Sequence, residues 1–266
     1  MMSKLSLYKG CWINGQAPHM ARQMSAREVQ SYLLQGGFML RNTYDFDTAD
    51  KTSFWYIIKD TFGGMDELSS STRNCIRRSL KTIEYRRISG DILLRDGGYD
   101  VMVAACKSYK VKCSVPSIES FTQRINSLSE EYELWGGYLI EDGRLVVFSI
   151  NRIANGICEY QTFKCHPLYY RHYYPYYGLI YTMNSYYLSE NKLRYVLDGA
   201  RSITEHSNIQ PFLEDKFKFR KAYCRLQIVY KPLFGIVVHC LYPFRQYMPS
   251  KVKAILYMEA MKRNEI

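Results

Sequence analysis

Residues 136–150 read GGYLIEDGRLVVFSI. Two apolar runs, 136–140 and 145–150, flank Asp142-Gly143, a dipeptide that accepts the positive φ angles of a tight hairpin turn. Residues 159–164 continue the pattern as a third strand, so 136–164 is expected to form an antiparallel meander. Upstream, 99–110 and 116–128 have helical character, the second through Ile118, Phe121, Ile125 and Leu128. Downstream, 177–188 sets Leu179, Ile180, Met183 and Tyr187 on one helical face. A strand at 195–200, a helix at 209–217 and a strand at 222–230 follow. The order is therefore two helices, a meander, then helix, strand, helix and strand.

Nearer the N-terminus, 37–44, 53–60 and 84–88 read as strands. Between them 65–81 reads as a helix whose Leu68, Thr72, Ile76 and Leu80 share a face, with Arg73, Arg77, Arg78 and Lys81 on the rest. Such a basic face is either solvated or set against RNA phosphates or an acidic acceptor. At the other end, Leu233 to Tyr242 is apolar and aromatic, Pro243 stops it, and Arg245, Lys251, Lys253, Lys262 and Arg263 follow. That segment suits the closing helix of a core or a surface helix on an anionic membrane.

The chain has 266 residues, 47% of them apolar, and a formal net charge of +11. A positive excess favours anionic partners such as phosphorylated cofactors, RNA or an acidic bilayer. Eight cysteines contain no C-x-x-C pair, the usage of free thiols in a reducing compartment. Cys158, Cys165, His166 and His172 fit no zinc framework, and no metal is expected. No stretch reaches the ~20 apolar residues of a spanning helix, and the N-terminus lacks a signal-peptide core, so the expectation is cytoplasmic residence with peripheral membrane contact open. Walker, H-E-x-x-H and G-x-S-x-G motifs are absent, which removes the usual support for kinase, metalloprotease and α/β-hydrolase readings.

The element order resembles the GNAT acyltransferase fold over roughly residues 95–230. Leu213-Glu214-Asp215-Lys216-Phe217-Lys218-Phe219 lies where that superfamily has L-Y-E-K-L-G-F, and Asn208 lies one position from the asparagine that opens the same helix. The run Thr72 to Lys81 resembles the basic helix of the FemAB-like aminoacyl and acyl transferases, which carry a doubled GNAT unit. The resemblance implies an α/β (α+β) fold with a mixed, mainly antiparallel sheet flanked by helices. Its domains would be a partial N-terminal GNAT-like unit at 1–92, the acyltransferase domain at 93–231 and a helical tail at 232–266. It further implies acyl transfer from acyl-CoA, acetyl-CoA for instance, to an amine. The FemAB alternative is aminoacyl transfer from tRNA to a cell-wall precursor. A catalytically silent binding module is the third reading. Expected partners are a small-molecule or cell-envelope precursor amine, tRNA and an anionic membrane, and not DNA.

Two positions depart from the family pattern. The phosphate loop R/Q-x-x-G-x-G/A is replaced by a stretch from Tyr169 to Gly178 with a single glycine, and Glu214 stands where a tyrosine often protonates the leaving thiolate. The resemblance carries Arg171, Tyr176, Tyr177, Gly178 and Asn208 as cofactor-binding candidates. Tyr173, Arg201 and Ser202 are substrate-binding candidates, and Asp198 and His206 the catalytic ones. Each has an ordinary alternative: tyrosines pack a sheet, Asp198 and Arg201 pair at a strand end, and Thr204 to Asn208 caps a helix.

Overall fold

The structure is a computed structural model that describes residues 5–109, 114–201 and 209–266. The chain opens with strands β1 (Leu5–Tyr8) and β2 (Cys11–Asn14), helix α1 (Ala26–Leu34), and strands β3 (Met39–Tyr44) and β4 (Phe54–Lys59). Helix α2 (Ser70–Thr82) and strand β5 (Ile83–Ile88) lead to helices α3 (Gly90–Arg95), α4 (Gly98–Ser108) and α5 (Ile118–Asn126). The meander β6 (Tyr132–Leu139), β7 (Leu145–Ala154) and β8 (Ile157–Cys165) precedes α6 (Pro167–Tyr173) and α7 (Pro175–Asn184). Strand β9 (Tyr195–Ala200), α8 (Ile209–Phe217), β10 (Arg220–Tyr230), α9 (Pro232–Leu241) and α10 (Ser250–Lys262) complete it. The fold is mixed α/β, with mostly antiparallel pairing and helices flanking the strands, as the element order led us to expect.

Contacts divide the chain into two compact units. One is built from residues up to Ile57 and from Lys221 onward, with Ala200 and Arg201; the other runs from Ile58 to Gly199 and adds 209–220. In the first unit, β3 pairs with β2 in parallel and with β10 antiparallel. Its side chains alternate between two cores, as a pleated strand requires. Leu40 joins Val29 and Leu33 of α1, whereas Met39 joins Leu226, Ile228 and Met261. Helix α1 starts on a capping box in which Ser25 and Glu28 satisfy each other's backbone. Helix α10 is tied down by the buried Glu259. It accepts from Tyr230 of β10 at 2.9 Å and from Arg263 at 2.9 Å, and lies 3.9 Å from His239 of α9.

The second unit has the order β9-β8-β7-β6-β5, antiparallel except for β8 with β9. Its two sheet faces differ in chemistry. Leu134, Tyr138, Phe148 and Ile150 point to α3, α4 and α5, where they meet Leu93, Val101, Phe121 and Ile125 in an apolar core. The opposite face takes α7 and α2. There Tyr85 of β5 donates to the Pro175 carbonyl at 2.9 Å and shares a 2.5 Å bond with Ser79 of α2. Consequently α2 buries Thr72, Ile76 and Ser79, and Leu80, expected on that face, is exposed.

Helix α8 ends as the family pattern anticipates. Lys218 fills the glycine position of that pattern and still adopts φ +60°, while the Phe219 amide closes onto the Leu213 carbonyl at 3.3 Å. Leu213, Phe217 and Phe219 are all buried.

Gly178 packs α7 on the sheet. A Cβ at this position would fall inside the van der Waals shell of the Tyr85 ring. Gly178→Ala is expected to cost about 1–3 kcal/mol of overpacking strain. In urea titrations, a double-mutant cycle with Tyr85→Leu should return a coupling of about 0.5–3 kcal/mol.

Candidate active site

Strands β8 and β9 run side by side for only three residue pairs, ending at Glu159 opposite Leu197. Beyond that point β8 continues to Cys165 and β9 to Ala200 without pairing to each other. Among the described residues, no other strand takes the β9-facing edge of β8 beyond Glu159. A β-bulge marks the same level. Asn151 of β7 faces Tyr160 and Ile150 faces Thr162, so Gln161 has no counterpart.

A row of polar side chains crosses the α7 face at this level. Glu133 of β6 pairs with Asn151, and Asn151 with Tyr160. Asp198 is the next residue on β9, one step past the last paired position. Tyr187 ties the first two together: its hydroxyl donates to Glu133 at 2.9 Å and accepts from Asn151 at 3.2 Å and from Trp135 at 2.9 Å. It reaches them where α7 continues as a π-helical turn over Ser185–Glu190, whose extra residue per turn sets both Tyr186 and Tyr187 against Trp135. At the other end, Tyr160 donates to Asn184 at 2.8 Å, and both are buried. The Asn184 amide nitrogen is itself buried with no acceptor among the described residues.

Asp198 carries a perturbed carboxyl. Burial pushes its carboxyl up to about 7, opposed only in part by the Gln210 side chain of α8. Burial above all pushes the Tyr160 hydroxyl well above its ordinary value, with smaller contributions from Cys158, Tyr187 and Asp198. Cys158, on the same face, is driven up by burial and is an inert thiol.

The tyrosine-rich stretch forms a second feature. Where the family pattern has a glycine loop, this chain forms the additional short helix α6, joined to α7 by Tyr174 at φ +53°. That conformation is uncommon for a bulky residue, and Arg78 of α2 backs it, with its guanidinium 5.0 Å from the Tyr174 ring centre. Most of the tyrosines meet other aromatic rings. Tyr173 meets Tyr169, Tyr176 meets Phe163 and Tyr170, and Tyr177 meets Phe212 and Phe217 of α8. Burial pushes the Tyr177 hydroxyl up to about 12. Arg171 and His172 are exposed on α6. Arg78 and Lys216 both act on Cys75 beside Tyr177, so two further cations stand near the start of α7.

Asp198, Tyr176, Tyr177 and Gly178 therefore lie on elements that border the parted strands. Arg201 has its partners in the first unit: it donates to the Ser53 carbonyl at 2.7 Å and stacks on Trp55. Ser202, His206 and Asn208 lie outside the described residues. Among the described residues no His, Cys, Asp and Glu group could hold a metal ion, and no helix is long and apolar enough to cross a membrane. Tyr160, Asn184, Gln210 and Glu133 were not singled out from sequence. Strand register places Glu133 and Tyr160 in line with Asp198, and helices α7 and α8 bring Asn184 and Gln210 to them.

The raised carboxyl has a consequence for stability. An unfolded Asp titrates near ~4, so between about 4 and about 7 the native chain binds a proton that the unfolded chain has lost. Stability therefore falls as pH rises through that window and levels off above it. Asp198→Asn is expected to remove this slope and gain stability over the parent as pH rises, as read by urea midpoints from pH 4.5 to 8.

No known family profile matches the chain, and no curated protein matches it by sequence. Solved structures do match its fold. FemX superposes with a TM-score of 0.58 at 11% identity, covering 84% of this chain and 84% of FemX. The C-terminal DUF2156 domain of a putative lysylphosphatidylglycerol synthetase from Agrobacterium fabrum superposes with a TM-score of 0.53 at 9% identity, over 89% of this chain and 82% of that domain. The chain thus has a GNAT-like fold, shared with FemX and with this domain.

Proposed function

We propose that this chain is an acyltransferase that moves an acyl group from acyl-CoA, acetyl-CoA in the simplest case, to an amine at the parting of β8 and β9. The observation that carries this reading is Asp198. It is a carboxylate at the end of the paired segment, raised to about 7, with a buried amide donor nearby on Asn184. An amine arrives at neutral pH largely as an ammonium ion, and a base of that strength takes its proton. The neutral amine then attacks the thioester carbonyl. The carbonyl oxygen, now negative, draws on N–H groups that the parted strands leave open. Collapse breaks the C–S bond, and the amine's second proton leaves with the thiolate as free thiol. His206, Ser202 and Asn208 belong to the same reading as further site residues. Arg171, Tyr176 and Tyr177 at the start of α7 would meet the donor's phosphates and chain, with Tyr173 on the acceptor side and residues 93–231 as the acyltransferase domain.

Aminoacyl transfer from tRNA to a cell-envelope precursor uses the same chemistry with an ester in place of the thioester. The replacement of the glycine loop by α6, with Arg78 and Lys216 nearby, favours it specifically, since a larger anionic donor needs cations more than a narrow phosphate cradle. Either donor implies a cytoplasmic protein, and a lipid-borne acceptor brings it to the membrane surface.

Calorimetry with coenzyme A and with tRNA separates the donors, and binding of neither leaves the silent binding module. Coenzyme A is expected to bind weakly, and Arg171→Ala to weaken it further at unchanged thermal stability. Once a donor is identified, Asp198→Asn is expected to lower kcat/KM by about 10²–10⁴-fold. It should also abolish a rise of rate with pH near 7, measured by thiol release. Parent-like rates would remove Asp198 as the base.

A further inference from the structure

Helix α9 is apolar on both sides. Its inner side buries Val238 and sets Phe234 against Phe38, with ring centres 4.5 Å apart. Its outer side presents Leu233, Ile236 and Val237 at 81%, 60% and 50% exposure, with the exposed Cys240 one turn on. The 3₁₀ turn Tyr242–Tyr247 continues the ridge with Phe244 at 56% and Tyr247 at 84%. A ridge of this length at i, i+3, i+4, i+7 spacing is the stripe a helix normally buries.

The charges beside it are of one sign. From Lys231 to Met258 the sequence has Lys231, Arg245, Lys251 and Lys253 and no Asp or Glu. The carboxylates that follow are already engaged: the buried Glu259 pairs with Arg263, and Glu265 accepts from Tyr242 and lies 3.9 Å from Arg245. A second copy of this surface would set cations against cations across a two-fold contact. An RNA offers phosphates but little for a ridge of aliphatic side chains. A bilayer with anionic headgroups offers both an apolar interior and negative charge.

We infer that the outer ridge of α9 and the following 3₁₀ turn docks on an anionic lipid bilayer, with Leu233, Ile236, Val237 and Phe244 entering the acyl boundary and the flanking Lys and Arg meeting headgroups. Tyr247 sits at the headgroup level, where an amphipathic ring is most stable. This docking stands apart from the transfer reading and needs no activity for its test.

Flotation with vesicles of phosphatidylcholine alone, and with about one third phosphatidylglycerol, tests it at low and physiological salt. The parent is expected to float with the anionic vesicles and less so as salt rises. Ile236→Ser combined with Phe244→Ser should weaken partitioning about ten-fold or more, and Lys253→Ala about five-fold. Both sites are on the surface, so unchanged thermal unfolding confirms the variants are folded. Tyr247→Trp should be quenched by brominated acyl chains only with anionic vesicles. Parent protein that stays at the bottom of the gradient with both vesicles overturns the docking. So does flotation that the double variant leaves intact, or a dimer that the double variant dissociates while no vesicle binds.

Discussion

Two parallel strands that separate must leave main-chain N–H and C=O groups without their ladder partners, and a folded chain tolerates this only where something else can take them. In this protein the separation follows the third residue pair of β8 and β9. Much of what distinguishes the second unit clusters there: the bulge at Gln161, the turn of Tyr160 toward Asn184, and a carboxylate whose burial raises it toward neutrality. An ordinary strand end would have solvated Asp198. Here it stands half-buried beside Tyr160, and the resulting desolvation raises its carboxyl.

The contrast between the two sheet faces follows from the same need. Toward α3, α4 and α5 the unit buries hydrocarbon and aromatic rings, the arrangement that gains most from leaving water. Toward α7 it buries Asn151, Tyr160 and Asn184 beside the half-buried Glu133, and such groups cost free energy unless each finds a partner. Tyr187 finds three. Asn184 finds one for its oxygen and none among the described residues for its nitrogen, a deficit of about 1–3 kcal/mol.

Much of this architecture was legible from residues. Asp142-Gly143 fixed the hairpin because Gly143 takes φ +71°, and the strand at 195–200 and the helix at 209–217 have the limits their patterns implied. Helix α6 and strands β1 and β2 were not seen. Seven residues around Tyr169 carry no helical apolar period, and four-residue strands are shorter than any pattern can establish. Leu80 was assigned to the wrong face of α2 because the helix turns toward Tyr85, a partner that only the fold supplies. Asp198 was legible as a polar residue at a strand end. Its neighbours in the row were not, since Glu133, Asn151 and Tyr160 become adjacent only once three strands are in register.

The bulge at Gln161 also resets the phase of β8. Before it, Cys158 and Tyr160 face α7; after it, Phe163 and Cys165 do, since they stand opposite Ser149 and Val147. A strand of unbroken alternation would instead have sent Thr162 and Lys164 to that side, and a lysine would have been forced beneath the helix. One extra residue thus lets a single strand obey two different parities, so its first half can join the polar row at the parting while its second half serves the packing of α7. The position of that residue, rather than its identity, is what the chain must preserve.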